Sequence, residues 1–216
     1  MKSSPCRLCH SPNVNFYFAD KRREYWQCQN CQLVQVPSEF LLTKAQEKAE
    51  YDKHDNQSDD MGYRGFLSRC LQPTLARVNV NAQGVDFGCG EGKVLSIMAK
   101  EQGVSVANYD LFYANDELLL KQEYDFITCT EVIEHISDAQ STFELFQSML
   151  KPNGLLALMT KRVQDVDAFS RWHYKNDLTH ICFYSIATFE WIANHYDWQL
   201  EVISNDVVMF TKSNKM

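Results

Sequence analysis

The stretch Val85-Asp-Phe-Gly-Cys-Gly-Glu-Gly92 constrains this chain more than any other. The 216 residues include only eight glycines, and Gly88, Gly90 and Gly92 fall within five positions. An apolar, strand-like run at 84–87 precedes them and a helix-like run at 93–102 follows. A strand that passes into a helix through glycines is the setting of a nucleotide-binding loop, because glycine permits the tight turn and lets backbone N–H groups approach a ligand. Lys93 stands where a dinucleotide fingerprint needs its third glycine, so what is present is D-x-G-x-G-x-G from Asp86. Asp110 follows at the end of the next strand-like run, where an acid can accept hydrogen bonds from ribose hydroxyls. These features suit an adenosine ligand without a pyrophosphate, and Asp110 argues against a bare strand–helix turn.

The flanking pattern predicts the rest of the fold. Residues 104–109, 124–130 and 154–160 read as buried strands, and 185–196 as a helix with Ile186, Phe189, Ile192 and Tyr196 on one face. Ser137, with Gln140 at capping-box spacing, predicts a helix that runs to position 150. The span 111–123 is too short for a full helix and strand and is expected to be compressed or irregular. Segments 199–204 and 207–212 read as a hairpin. Strands alternating with helices predict an α/β, Rossmann-like doubly wound parallel sheet with a C-terminal antiparallel hairpin. Residues 161–184 carry no clear periodicity, and 40–51 and 60–77 read as helices separated by a polar run.

Cys6-x-x-Cys9 and Cys28-x-x-Cys31 form two pairs at zinc-site spacing. Between them, 14–18 and 24–27 read as short strands around a polar turn, a zinc-ribbon pattern. Fewer than 40 residues cannot bury a large core, so a structural zinc on Cys6, Cys9, Cys28 and Cys31 would supply the folding energy. Two pairs argue against a redox dithiol, and His10 reads as a bystander. Cys70, Cys89, Cys129 and Cys182 read as buried small hydrophobes. Residues 1–37 carry a charge of +3 while the whole chain carries −7, which marks a boundary near Pro37. The expected division is a ribbon at 1–37, a helical linker or cap at 38–78, and a cofactor-binding domain at 79–216 whose core is separate from the ribbon. No apolar run approaches the ~18 residues of a membrane span, and the opening Met1–Cys6 lacks a secretory stretch, so the expected location is cytoplasmic. The acidic balance argues against coating nucleic acid by charge.

From about residue 60 to 212 the sequence resembles the class I S-adenosylmethionine-dependent methyltransferases. The resemblance rests on Val85–Gly92, Asn108-Tyr-Asp-Leu111, Tyr124-Asp-Phe-Ile-Thr-Cys-Thr-Glu-Val-Ile-Glu-His-Ile136 and Leu150-Lys-Pro-Asn-Gly-Leu-Leu156. With the ribbon included, it resembles a bacterial group of such enzymes, through Tyr51, His54, Asn56, Tyr63 and Trp172-His-Tyr-Lys-Asn-Asp-Leu-Thr-His180. Family members often have proline where Glu91 stands. The resemblance implies that Asp86, Gly88, Cys89 and Gly90 shape the loop under the methionine part of S-adenosylmethionine. Asp110 and Leu111 would lie at the ribose, and Thr130 and Glu131 beside the sulfonium. It implies in-line methyl transfer to a small-molecule acceptor, for which the protein aligns the reactants and excludes water.

A hydroxyl acceptor would also need a base, and the long segment at 161–184 offers His180 first and His173 second. Glu131, Glu134 and His135, with His180, could instead bind Mg²⁺, as similar clusters do in small-RNA 2′-O-methyltransferases and some ubiquinone-pathway O-methyltransferases. In other relatives the same letters only order a turn. The rival function is an adaptor that binds RNA or a protein through Lys21-Arg-Arg23 and the aromatics Phe16, Tyr17, Tyr25 and Trp26. Oligomeric state and acceptor identity are not legible.

Overall fold

The computed structural model describes residues 4–53 and 57–214. Met1, Lys2 and Ser3 of the opening stretch, and His54 and Asn56 among the letters that carry the resemblance, lie outside them.

The larger sheet has six strands: β4 (Gln83–Phe87), β5 (Ser105–Tyr109), β6 (Tyr124–Thr130), β7 (Leu150–Met159), β9 (Trp198–Val202) and β10 (Val207–Lys212), in the order β5-β4-β6-β7-β10-β9. The first four are parallel, and β10 runs antiparallel to β7 and β9, so the doubly wound sheet with its terminal hairpin forms as expected. Period-two side-chain alternation makes both faces apolar. Phe126 of β6 and Met209 of β10 face helices α2 (Met61–Leu75) and α3 (Val94–Glu101). Ile127, Cys129, Val208 and Phe210 face α4 (Ala139–Met149) and α6 (Ile186–Tyr196). Between β5 and β6 the chain forms one 3₁₀ turn, Leu119–Lys121, so β5 is the edge of the sheet. No described helix is long and apolar enough to cross a membrane.

Local chemistry moves several expected boundaries. The cap of α4 is Asp138, whose carboxylate accepts from the Ser141 amide, in place of Ser137. The Ser137 carbonyl is instead taken by the Arg7 guanidinium. Thr43 and Gln46 form a capping box, so α1 (Lys44–Tyr51) starts later than the predicted position 40.

Segment 161–184 is more ordered than its lack of periodicity suggests. It contains α5 (Val166–Arg171) and a two-residue strand, β8 (Cys182–Phe183), each too short to show a repeat. The N-terminal strands β1 (Val14–Ala19), β2 (Glu24–Cys28) and β3 (Val34–Gln35) form a second sheet, and β8 is its fourth strand, with Val34 opposite Phe183 and Gln35 opposite Cys182. One buried cluster runs from Leu8, Tyr25 and Val34 into Phe169, Phe183 and the sheet core. Phe169 packs edge-on against Tyr17, Tyr25 and Phe183 at 5.0–5.4 Å between ring centroids. The expectation that the core of the cofactor-binding domain is separate from residues 1–37 is therefore corrected. Their apolar side chains are too few to be buried alone, and the 161–184 segment completes the layer.

Candidate functional site

At the N-terminal end, Cys6, Cys9, Cys28 and Cys31 point at one centre, their Sγ atoms all within 4.8 Å of one another. Cys6 and Cys31, and Cys9 and Cys28, approach to 3.4 Å. Tetrahedral zinc–thiolate geometry needs sulfurs about 3.8 Å apart. The two knuckles are built alike. In each, a backbone amide two residues on donates to the leading sulfur, Leu8 to Cys6 and Asn30 to Cys28, both at 3.4 Å. Each closes on a residue in the left-handed region, His10 (φ 54°) and Gln32 (φ 60°). Cys70, Cys89, Cys129 and Cys182 are single buried thiols, as expected.

The main cavity, about 1010 Å³, opens at the carboxyl ends of β4, β5 and β6. Gly88, Cys89, Gly90, Asp110, Leu111, Thr130, Glu131 and His180 all line it. Gly88 has φ +80°, and a Cβ there would lie 2.3 Å from the Val132 side chain. Gly90 has φ +64° with open space beyond it, so bare backbone faces the cavity. Asp110 ties the loop to the turn after β5, one oxygen accepting from the Gly90 amide (3.0 Å) and the other from Phe112 (2.8 Å) and Tyr113 (3.1 Å). A carboxylate has about four acceptor sites, so one remains beyond these three bonds. Asp86 stands behind the loop, off the cavity wall, accepting from the Thr128 hydroxyl at 2.8 Å, and burial pushes its carboxyl up to about 7.

The opposite wall comes from α1, from residues 132–138 and from 177–181. His180 is buried, and its Nδ1 donates to the Tyr174 carbonyl at 2.8 Å, which leaves the Nε2 lone pair free to accept. Burial lowers its pKa and Asp177, with Oδ2 3.7 Å from Nε2, partly opposes this. His173, the second candidate base, is not on this cavity. It is exposed, with Nε2 3.0 Å from the Lys161 ammonium. The 3₁₀ turn His173–Asn176 sends Tyr174 inward and its neighbour out.

Tyr174, one of the letters of the resemblance, is a hub whose role the residue pattern did not show. Its hydroxyl donates to Glu134 and lies 3.1 Å from Glu131 Oε2 and 3.2 Å from the Thr160 hydroxyl. Burial raises the pKa of both carboxyls. Glu131 turns into the site through a left-handed backbone (φ 54°), its amide donating to the Met159 carbonyl at 2.7 Å. Glu134, His135 and His180 present ligand atoms within 4.8 Å of one another. Tyr51 of α1, one of the letters of the resemblance, packs edge-on against His135 at 5.2 Å.

The surface expected of an RNA-binding adaptor does not exist as a set. Arg23 and Tyr25 are buried, and Tyr17 packs on Phe169. Phe16 remains exposed.

Among known proteins, the chain is similar to the ubiquinone biosynthesis O-methyltransferases of Colwellia psychrerythraea (strain 34H) and Shewanella sp. (strain ANA-3). It is 32% and 34% identical to them over 108 and 102 residues, which is 50% and 47% of this chain and 42% of each relative. It thus spans less than half the length of these relatives. Among solved structures, it superposes on the magnesium protoporphyrin IX methyltransferase of Synechocystis PCC 6803 with a TM-score of 0.54 and 16% identity, covering 81% of this chain and 96% of that one. For the 1,6-didemethyltoxoflavin-N1-methyltransferase of Burkholderia thailandensis the TM-score is 0.52 at 15% identity, with 93% and 100% covered. Both likenesses are of fold. The pattern described as "Methyltransferase domain" matches residues 61–203, the span from α2 through β9 that builds the glycine loop, Asp110 and the 177–181 wall, and the chain belongs to that family.

Proposed function

We propose that this chain transfers a methyl group from S-adenosylmethionine to a hydroxyl of a small molecule bound in the main cavity. One observation carries the reading: the glycine loop, Asp110 and His180 line a single cavity. Its volume stands at the top of the ~300–1,000 Å³ range of small-molecule sites, which suits a cofactor and an acceptor side by side. The residues fit the cofactor, since Gly90 turns bare backbone toward open space and Asp110 keeps one acceptor site for a ribose hydroxyl. The curated relatives are O-methyltransferases, which favours oxygen as the acceptor atom.

Bound S-adenosylmethionine supplies a methyl group on a positively charged sulfur. The chain supplies alignment, exclusion of water and a proton acceptor. Thr130 and Glu131 line the cavity and would lie beside the methyl group. His180, held as the Nδ1–H tautomer, keeps Nε2 available to take the hydroxyl proton as the oxygen attacks. The four cysteines hold a structural zinc in this reading, supported by their common centre and their paired knuckles.

Calorimetry with S-adenosylhomocysteine tests the cofactor half. The wild type is expected to bind. Asp110→Ala should weaken binding by more than tenfold, because a hydrogen bond to a charged group contributes about 1.5–3 kcal/mol and the loop amides also lose their acceptor. A wild type that does not bind sinks the reading.

A second reading is favoured by the Glu134–His135–His180 cluster, where Glu134 Oε2 is buried without a hydrogen-bond partner. These residues would hold a divalent cation such as Mg²⁺, which would supply Lewis-acid stabilisation of an acceptor oxygen. Mn²⁺ added to the native protein should then broaden the His135 and His180 ring signals, and Glu134→Gln should abolish the effect. Unbroadened signals at millimolar Mn²⁺ exclude this reading and leave the metal-free one.

A further inference from the structure

Arg23 sits in the turn between β1 and β2, buried, and four N–H bonds leave its guanidinium. Nε donates to the Tyr25 hydroxyl at 3.0 Å. Nη1 donates to the Leu178 carbonyl at 3.0 Å, and Nη2 to the carbonyls of Lys175 and Asp177, both at 2.8 Å. The turn that presents it is itself fixed, since Asp20 Oδ1 accepts from the amides of Arg22 and Arg23 and Oδ2 lies 3.0 Å from the Tyr25 hydroxyl.

Two of the three carbonyls, those of Asp177 and Leu178, belong to the stretch that makes the far wall of the cavity, and Lys175 precedes it. Asp177, Leu178, Thr179 and His180 all line the cavity. His180 takes its orientation from the Tyr174 carbonyl, the residue before the first one clamped. The Asp177 side chain, between two clamped carbonyls, holds Thr179 through its amide (2.8 Å) and hydroxyl (2.6 Å). The planar fork of one arginine thus fixes the turn that leads into the wall and the start of the wall. Joining the two parts of the chain does not require it, because the β3–β8 pairing and the rings around Phe169 already do so. A buried guanidinium is a costly means of packing, and a leucine would serve for cohesion alone.

We propose that Arg23 is a positioning residue for methyl transfer: from the four-cysteine segment it sets the backbone that aims His180 at the acceptor. This rests on the function proposed above and assigns that segment a share in building the acceptor site.

The test uses full-length Arg23→Ala, Arg23→Gln and Arg23→Lys proteins with three measurements: amide hydrogen exchange, the ¹⁵N signature of the His180 ring, and S-adenosylhomocysteine calorimetry. With alanine or glutamine, exchange at 174–181 should rise roughly tenfold or more while the β4–β7 core stays protected. The His180 ring should pass from a single Nδ1–H form to a tautomer mixture. Lysine should restore protection in part, since it reaches one carbonyl but cannot span three. Cofactor-product affinity should stay within about twofold, because the glycine loop is on the other wall. An unchanged His180 signature in the alanine protein overturns the proposal. So does exchange that rises equally throughout the sheet in the glutamine and lysine proteins, which would make Arg23 a general stabiliser. Failure of the wild type to bind S-adenosylhomocysteine would overturn the function reading and the acceptor role with it, whatever the exchange data show of the clamp.

Discussion

Serine at Cys28 is expected to empty the four-sulfur centre and to loosen the cavity wall at 177–181 together with residues 4–37. Structural zinc binding is worth about 10–16 kcal/mol in isolated zinc-finger peptides. That is comparable to the ~5–15 kcal/mol that separates a folded domain from its unfolded chain. The loss cannot stay local, because Val34 and Gln35 pair with Phe183 and Cys182, and the Val36 amide donates to the Ile181 carbonyl at 2.9 Å. Metal analysis should find zinc absent from the variant and one ion per chain in the wild type. Hydrogen exchange should rise at 163–184 as well as in the N-terminal strands, with β4–β7 still protected. Zinc-free wild type that keeps its N-terminal protection would remove the metal from the account. Exchange confined to residues 4–37 would show that the second sheet is not a fastening.

His180→Ala is expected to lower turnover by about 10²–10⁴-fold, the usual contribution of a general base. It can be followed as S-adenosylhomocysteine release in the presence of a deproteinised small-molecule extract. Affinity for the cofactor product should hardly change, since Asp110 and the glycine loop do not touch the imidazole. His180→Gln separates chemistry from architecture. Its side-chain amide can still donate to the Tyr174 carbonyl yet cannot accept a proton at neutral pH, so it should be as slow as alanine. A glutamine protein with near-normal turnover would make His180 part of the scaffold and point to an acceptor that needs no base.

The parts of the molecule written in regular repeats were legible. Strands β4 to β7, the terminal hairpin and helix α6 follow from alternation and from a 3.6-residue apolar stripe. Gly88, Gly90 and Asp110 follow from spacing alone. What escaped depends on contacts between distant segments. Tyr174 and His173 are adjacent letters of similar promise, and only the 3₁₀ turn decides that one enters the site and the other leaves it. Arg23 reads as a charged turn until the carbonyls that surround it are known, since a backbone acceptor leaves no trace in the sequence. The two-residue β8 carries no periodicity, yet it decides that the N-terminal strands and the methyltransferase fold share one core.

The same pairing sets an order of events as the chain is made. Strand β3 leaves the ribosome with one edge open, and its partner β8 follows roughly 150 positions later, a contact of very high sequence separation. At synthesis rates of about 5–20 residues per second, that edge waits on the order of ten seconds beside Tyr25 and Leu33, which only the finished protein buries. Exposed strand edges next to apolar side chains are templates for pairing with other chains. Early metal capture by the four cysteines would hold the nascent N-terminal strands in one register during that wait, and the last segment would then close an edge already shaped to receive it.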